Sequence, residues 1–238
     1  MSELILVRHG QAAAFSENSD RLTELGQRQA EALGHYLVAR GVEVDEVHSG
    51  TLERQRHTEA LVGELYRKAG RSWPEAQRNA GWNEYDSGGV TRRLAPLLAA
   101  RDPGFAALQA DFQTHAGSRQ QNRYFQRMFE ALMAAWVEGS LTHPEVESFA
   151  DFHARVRAAR DRIIDAEGSR RVLVFSSGGP IGVCVQLALE APLAAAIKTN
   201  WRVKNGSLTE FIFSRGRLSL DAFNRIPHLD DPALQSFR

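Results

Sequence analysis

A chain of 238 residues is long enough for one large α/β domain with room for an insertion. Its 29 basic and 29 acidic residues cancel, which argues against the concentrated positive field that general nucleic-acid binding needs. No stretch reaches the roughly 18 apolar residues of a membrane span, so no membrane partner is expected. The single cysteine, Cys184, leaves no internal disulfide and lies in an apolar run that reads as core. The chain enters a strand almost at once, without a basic leader, and a cytoplasmic protein is the expectation.

In chain order, Leu4-Ile5-Leu6-Val7 is an apolar run of strand length, the pattern of a strand covered on both faces. Thr23 can cap a helix that continues to about Ala39, where Gly41 ends it. A short strand is predicted around Val44–Val47, then Ser49-Gly50 and a second helix from Thr51 to about Arg67. Residues 72–89 read as irregular, punctuated by Pro74, Gly81, Gly88 and Gly89. From Arg92 to Gly139 the pattern is helical, with breaks near residues 102–104 and 115–117. Phe125, Phe129, Leu132 and Trp136 form an amphipathic stripe that reads as core, and Arg119, Arg123 and Arg127 lie on the other face. A helix over Phe149–Ala166 precedes a second buried strand, Val172–Phe175, a Ser176-Ser177-Gly178-Gly179 turn and a helix with Pro180 in its first turn. Two strands, Leu208–Phe213 and Leu218–Phe223, close the chain around residues 214–217. Strands alternating with helices predict a three-layer α/β/α fold with a mainly parallel central sheet. The helical block at about 89–143 is the expected insertion into one domain spanning 1–238, placed as a lid.

Open α/β sheets bind ligands at the carboxyl ends of their strands, and Arg8-His9-Gly10 falls at such an end. So do Ser49-Gly50 with Leu52-Glu53-Arg54-Gln55-Arg56-His57-Thr58, and the Ser-Ser-Gly-Gly turn; Trp82-Asn83-Glu84 lies in the irregular segment. A guanidinium can hold two oxygens of one anion at once, which makes Arg8 and Arg54 candidates for an anion clamp. An imidazole is a competent nucleophile in its neutral form, which makes His9 a candidate for one. A carboxyl at Glu84 can protonate a leaving oxygen and later deprotonate water.

In this order and spacing the set resembles the histidine phosphatase superfamily, the group of phosphoglycerate mutase-like enzymes. Leu22-Thr23-Glu24-Leu25-Gly26 with Gln29-Ala30, Glu147-Ser148-Phe149, and Asn224 to His228-Leu229 extend the resemblance over almost the whole chain. It implies a phosphoglycerate mutase-like fold and a metal-independent, cofactor-free phosphomonoester hydrolase acting on a small phosphoester. His9 would be the phosphohistidine nucleophile, Glu84 the acid/base, and Arg8, Arg54, Ser177 and Gly178 the phosphate-binding groups.

The resemblance breaks at Ser177, where family members carry a second histidine. A serine supplies one neutral donor and no charge, and losing one preorganised donor costs roughly 10²–10³ in rate. Turnover reduced by Ser177 is therefore expected, Ser177→His is expected to raise it, and His48, His57, His143 and His228 stand as replacements that the sequence does not choose among. A non-catalytic or weakly active phospholigand-binding protein is the alternative. The small-residue stretch Gln11–Phe15 where mutases carry a longer Trp- and Asn-bearing loop disfavours a phosphomutase. A serine acyl hydrolase on Ser177 is disfavoured by Phe175, where the nucleophile elbow needs glycine. No metal-ligand spacing and no nucleotide P-loop occurs.

Overall fold

The computed structural model describes residues 2–13 and 20–237; Ala14 and Phe15 of the small-residue stretch lie outside them. The described elements begin with β1 (Ser2–Arg8), α1 (Glu24–Ala39), β2 (Glu46–Ser49), α2 (Glu53–Lys68) and β3 (Gln77–Arg78). Short helices α3 (Ser87–Gly89) and α4 (Ala95–Ala99) flank a wider π turn, and α5 (Pro103–Thr114), α6 (Gln121–Val137) and α7 (Phe149–Ile164) follow. Then come β4 (Arg171–Ser176), α8 (Gly178–Ala188), α9 (Ala194–Asn200), β5 (Leu208–Ser214) and β6 (Arg217–Arg225).

The six strands form one sheet in the order β3-β2-β4-β1-β5-β6. β3, β2, β4 and β1 are mutually parallel, and β5 and β6 are antiparallel at one edge. The apolar run of β1 is continuous because each of its faces is covered. Ile5 and Val7 share a core with Leu33 and Leu37 of α1, Val62 and Tyr66 of α2, Val47 of β2 and Leu173 and Phe175 of β4. Leu4 and Leu6 alternate with them and are fully buried too. The fold is the expected α/β architecture with a mainly parallel central sheet.

β2 lies two residues later than the Val44–Val47 expectation. Asp45 accepts the Arg171 N–H at 2.7 Å and sets the register, so pairing with β4 runs from Glu46 to Ser49. α2 likewise begins at Glu53 rather than Thr51. β3 falls inside the stretch read as irregular; two exposed polar residues carry no strand signature.

The chain divides into two compact units, Met1–Glu84 with Arg155–Arg238, and Tyr85–Ala154. The first holds the sheet. In the second, Tyr85, Trp136, Phe149 and Phe152 pack ring against ring, Tyr85 to Trp136 at 5.0 Å between centroids. Phe129, Leu132 and Trp136 of the predicted stripe are buried there. No helix among the described residues is long and apolar enough to cross a membrane.

Candidate functional site

The carboxyl ends of the parallel strands come together on the first unit. Beyond the last paired residues the backbone keeps bonding: the His9 N–H donates to the Ser176 carbonyl at 2.9 Å, and the Gly50 N–H to the Phe175 carbonyl at 3.1 Å. His9, Arg54 and Ser177 therefore arise from three adjacent strand ends.

His9 is buried, 6% exposed. Its Nδ1 lies 2.7 Å from the Gly10 carbonyl, and its Nε2 accepts from the Arg54 Nε–H at 3.1 Å. These partners assign the tautomer: the proton sits on Nδ1 and the lone pair on Nε2. Burial, then the charges of Arg54 and Arg8, hold the imidazole pKa well below its usual value; the Gly10 carbonyl opposes them only weakly. The ring is neutral at physiological pH.

The turn that carries His9 is braced from α1. Thr23 caps that helix, its Oγ1 accepting the Gly26 N–H at 3.1 Å while its hydroxyl donates to Gln11 Oε1 at 2.9 Å. Buried Gln29 accepts the Gln11 N–H at 2.8 Å and donates to the Leu234 carbonyl at 2.7 Å. A Cβ on Gly10 would stand 2.2 Å from the Gly26 carbonyl oxygen, and one on Gly26 would stand 2.1 Å from that of Gln11. Only two glycines allow the helix to lie this close to the turn. From the other side the Gly206 N–H donates to the Arg8 and His9 carbonyls, with Gly206 at φ +71°.

Arg54 opens α2. Its Nη1 donates to Asp20 Oδ1 at 2.6 Å, and Asp20 also accepts the Glu53 N–H at 2.7 Å, satisfying a first-turn donor of the helix. The guanidinium is thus held with its Nε edge toward His9. Arg8 donates through Nη1 to the Val203 carbonyl and lies close enough to lower the His9 pKa.

Ser177 is fully buried at the head of α8. Its Oγ accepts from Gln55 Nε2 at 2.9 Å, and the same amide donates to the Trp82 carbonyl at 2.9 Å. The Gly179 N–H donates to Glu84 Oε2 at 3.1 Å, which ties the carboxylate to the same turn. A Cβ on Gly178 would meet Asn200 Oδ1 at 2.1 Å. Arg155 holds the segment before Glu84, its Nη1 donating to the carbonyls of Ala80, Gly81 and Asn83 at 3.1, 3.2 and 2.8 Å.

No histidine among the four considered as replacements has a described contact with His9. His48 pairs with Glu46 at 3.3 Å and lines a separate cavity of about 380 Å³ with Arg78, Arg162 and Arg170. His57 sits part-exposed on α2, and His143 accepts the Glu145 N–H within the second unit. His228 packs its ring 5.9 Å from that of Tyr36. Cys184 is buried and its thiol is pushed up to about 12 by burial. Among the described residues no group of three or more His, Cys, Asp or Glu side chains is disposed to hold a metal ion.

Sequence reasoning missed Asp20, Gln55, Arg155 and Gly206. Each acts through a partner distant in the chain, so local pattern carries no signal for them.

The profile of the histidine phosphatase superfamily (branch 1) matches residues 4–122 and 114–226. The chain belongs to this superfamily. It is 27% identical over 238 residues to the bifunctional protein Rv2228c of Mycobacterium tuberculosis, a match covering 96% of the chain and 55% of that relative's length. The chain thus spans about half the length of that curated relative. The mycobacterial glucosyl-3-phosphoglycerate phosphatase Rv2419c, solved with inorganic phosphate, superposes at a TM-score of 0.63 with 22% identity, over 97% of this chain and 100% of that one. A phosphoglycerate mutase from Bacillus anthracis superposes at 0.63 with 18% identity, over 95% and 94% of the two chains. One fold is thus shared with a phosphatase and a mutase, so it does not by itself separate the two activities.

Proposed function

We propose that the protein is a phosphomonoester hydrolase that transfers a phosphoryl group to His9 and then to water. The observation that carries this reading is the His9 imidazole itself: neutral, its tautomer fixed by the Gly10 carbonyl, its Nε2 lone pair against a guanidinium. A neutral nitrogen with an anion-binding group beside it suits attack on a phosphoryl dianion.

As the dianion arrives, the Arg54 Nε–H turns from the imidazole to a phosphoryl oxygen, and Arg8 adds the second positive charge. The Nε2 lone pair forms a bond to phosphorus, the bond from phosphorus to the ester oxygen breaks, and that oxygen takes a proton from the Glu84 carboxyl. In the second half, the Glu84 carboxylate takes a proton from water as the water oxygen bonds to phosphorus. The phosphorus–Nε2 bond breaks, releasing inorganic phosphate and neutral His9. Ser177 and the α8 N-terminus at Gly178 face the anion as neutral donors. Neither cofactor nor metal is needed for this balance.

Holding a phosphoester with slow turnover is the second reading, favoured by Ser177, which brings no charge to the site. A serine acyl hydrolase has less support, because the Ser177 hydroxyl meets the Gln55 amide, which is no base. The readings separate on one assay, hydrolysis of a generic aryl phosphate in the presence of a chelator. The proposal expects turnover that falls by roughly 10³-fold or more in His9→Ala. Phosphate binding without turnover would favour the second reading, and turnover surviving in His9→Ala would overturn the first.

A further inference from the structure

Gln55 is fully buried on a helix face where a polar side chain must be satisfied internally, and it is satisfied by three separate segments. One Nε2 hydrogen goes to the Trp82 carbonyl, two residues before Glu84, and the other to Ser177 Oγ at the end of β4. Its Oε1 accepts the Leu52 N–H at 3.4 Å and lies where a Cβ on Gly50 would stand, 1.8 Å away. Glycine at 50 is therefore required for the amide to enter at all.

The direction of the bond to Ser177 matters. An amide nitrogen donates and cannot accept, so Ser177 Oγ is the acceptor and its own proton must point elsewhere. Ser177 makes no cap bond to α8, and no described residue accepts that proton. A hydroxyl with no exposure and no acceptor costs free energy unless a ligand takes the proton. Ser177 follows Ser176, whose carbonyl holds the His9 N–H, and Gln55 follows Arg54, whose Nε meets His9 Nε2. The orphaned donor thus belongs to residues next in sequence to those that bond the His9 backbone and its ring.

We infer that Gln55 is a positioning residue that fixes the Ser177 hydroxyl as a hydrogen-bond donor to a phosphoryl oxygen bound at His9. This inference rests on the phosphohydrolase reading for its site. Through the Trp82 carbonyl, which also accepts from Ser176 Oγ at 2.8 Å, the same amide ties that donor to the segment carrying Glu84. Gln55 and Ser177 then act as one unit: without the amide, the hydroxyl is free to turn its proton to the Trp82 side.

The test is a double-mutant cycle on inorganic phosphate affinity, measured by calorimetry on the full chain. Ser177→Ala and Gln55→Met, the latter close in volume but without a donor, should each weaken phosphate binding roughly five- to ten-fold, the worth of one neutral hydrogen bond. The double variant should bind no more weakly than either single one. Gln55→Glu has the shape of glutamine but accepts the Ser177 proton, so it should weaken binding at least as much; it serves in place of Gln55→Met where that variant does not fold. Wild-type affinity in Ser177→Ala, or single effects that multiply in the double variant, would overturn the inference. Phosphate binding by the wild type without any phosphoenzyme would overturn the hydrolase reading and leave the Gln55–Ser177 unit standing. Absence of phosphate binding by the wild type would overturn both.

Discussion

Burial, Arg54 and Arg8, in that order, keep a proton off His9, and the lone pair they expose is the one the proposed chemistry uses. Replacing Arg54 with methionine removes the charge with the larger influence on His9 while keeping most of the bulk. The His9 pKa should then rise toward its usual value, read from the ring Cε1–H shift in a proton NMR titration; an unchanged midpoint would mean that the guanidinium does not act on the ring. His9 and Arg54 were singled out in the sequence because each lies in a short motif that follows a strand. Gln55 was not: on α2 a glutamine beside charged neighbours reads as a solvated surface residue, and only the fold shows it fully buried. Asp20 was hidden for the same reason, since its partners Glu53 and Arg54 lie more than thirty residues away.

The start of α1 decides where the His9 turn sits. Gly26→Ala places a methyl group against backbone rather than a yielding side chain, so the helix or the turn must move. The expected cost is about 1–3 kcal/mol of stability, the range for overpacking, with a fall in aryl phosphate turnover because the turn carries His9. A thermal melt and a turnover assay check this together; unchanged values for both would show that the close approach is slack. Such elements were well marked in the sequence. Thr23 announced the cap, Gly41 with φ +67° ended the helix, and the unbroken apolar runs of β1 and β4 announced burial on both faces. Boundaries set by pairing were not marked. β2 shifted because Asp45 and Arg171 fix its register, and β3 exists only because β2 offers it an edge.

Across the whole molecule, burial lowers the pKa of His9, His48 and His228. His228 is the clearest case outside the site: burial lowers its pKa from 6.5 to about 4. A base whose folded pKa lies below its unfolded one makes the unfolded chain the better proton binder between those two values. Stability is therefore fully present above pH 6.5 and is lost as pH falls toward 4, at roughly 1.4 kcal/mol for each unit of depression. His9 and His48 act with the same sign. His228→Phe removes one such group, so denaturant unfolding should show a flatter decline in stability between pH 6.5 and 5 than in the wild type. A parallel decline would contradict the assignment of His228 as a buried neutral ring. At this scale the layered architecture and parallel sheet were readable from alternating strand and helix patterns. The meeting of Gln55 and Glu84 at the Ser177–Gly179 turn depends on β4 lying between β1 and β2, an order that no local pattern encodes.

The central claim is a covalent bond between phosphorus and His9 Nε2. Mixing the protein with an aryl phosphate, quenching within milliseconds and mapping the modified peptide by mass spectrometry tests it directly, with His9→Ala in parallel. The account predicts phosphate on the peptide containing His9 in the wild type, acid-labile and absent from the variant. Phosphate on any other residue, or rapid turnover with no phosphopeptide at any quench time, would contradict it.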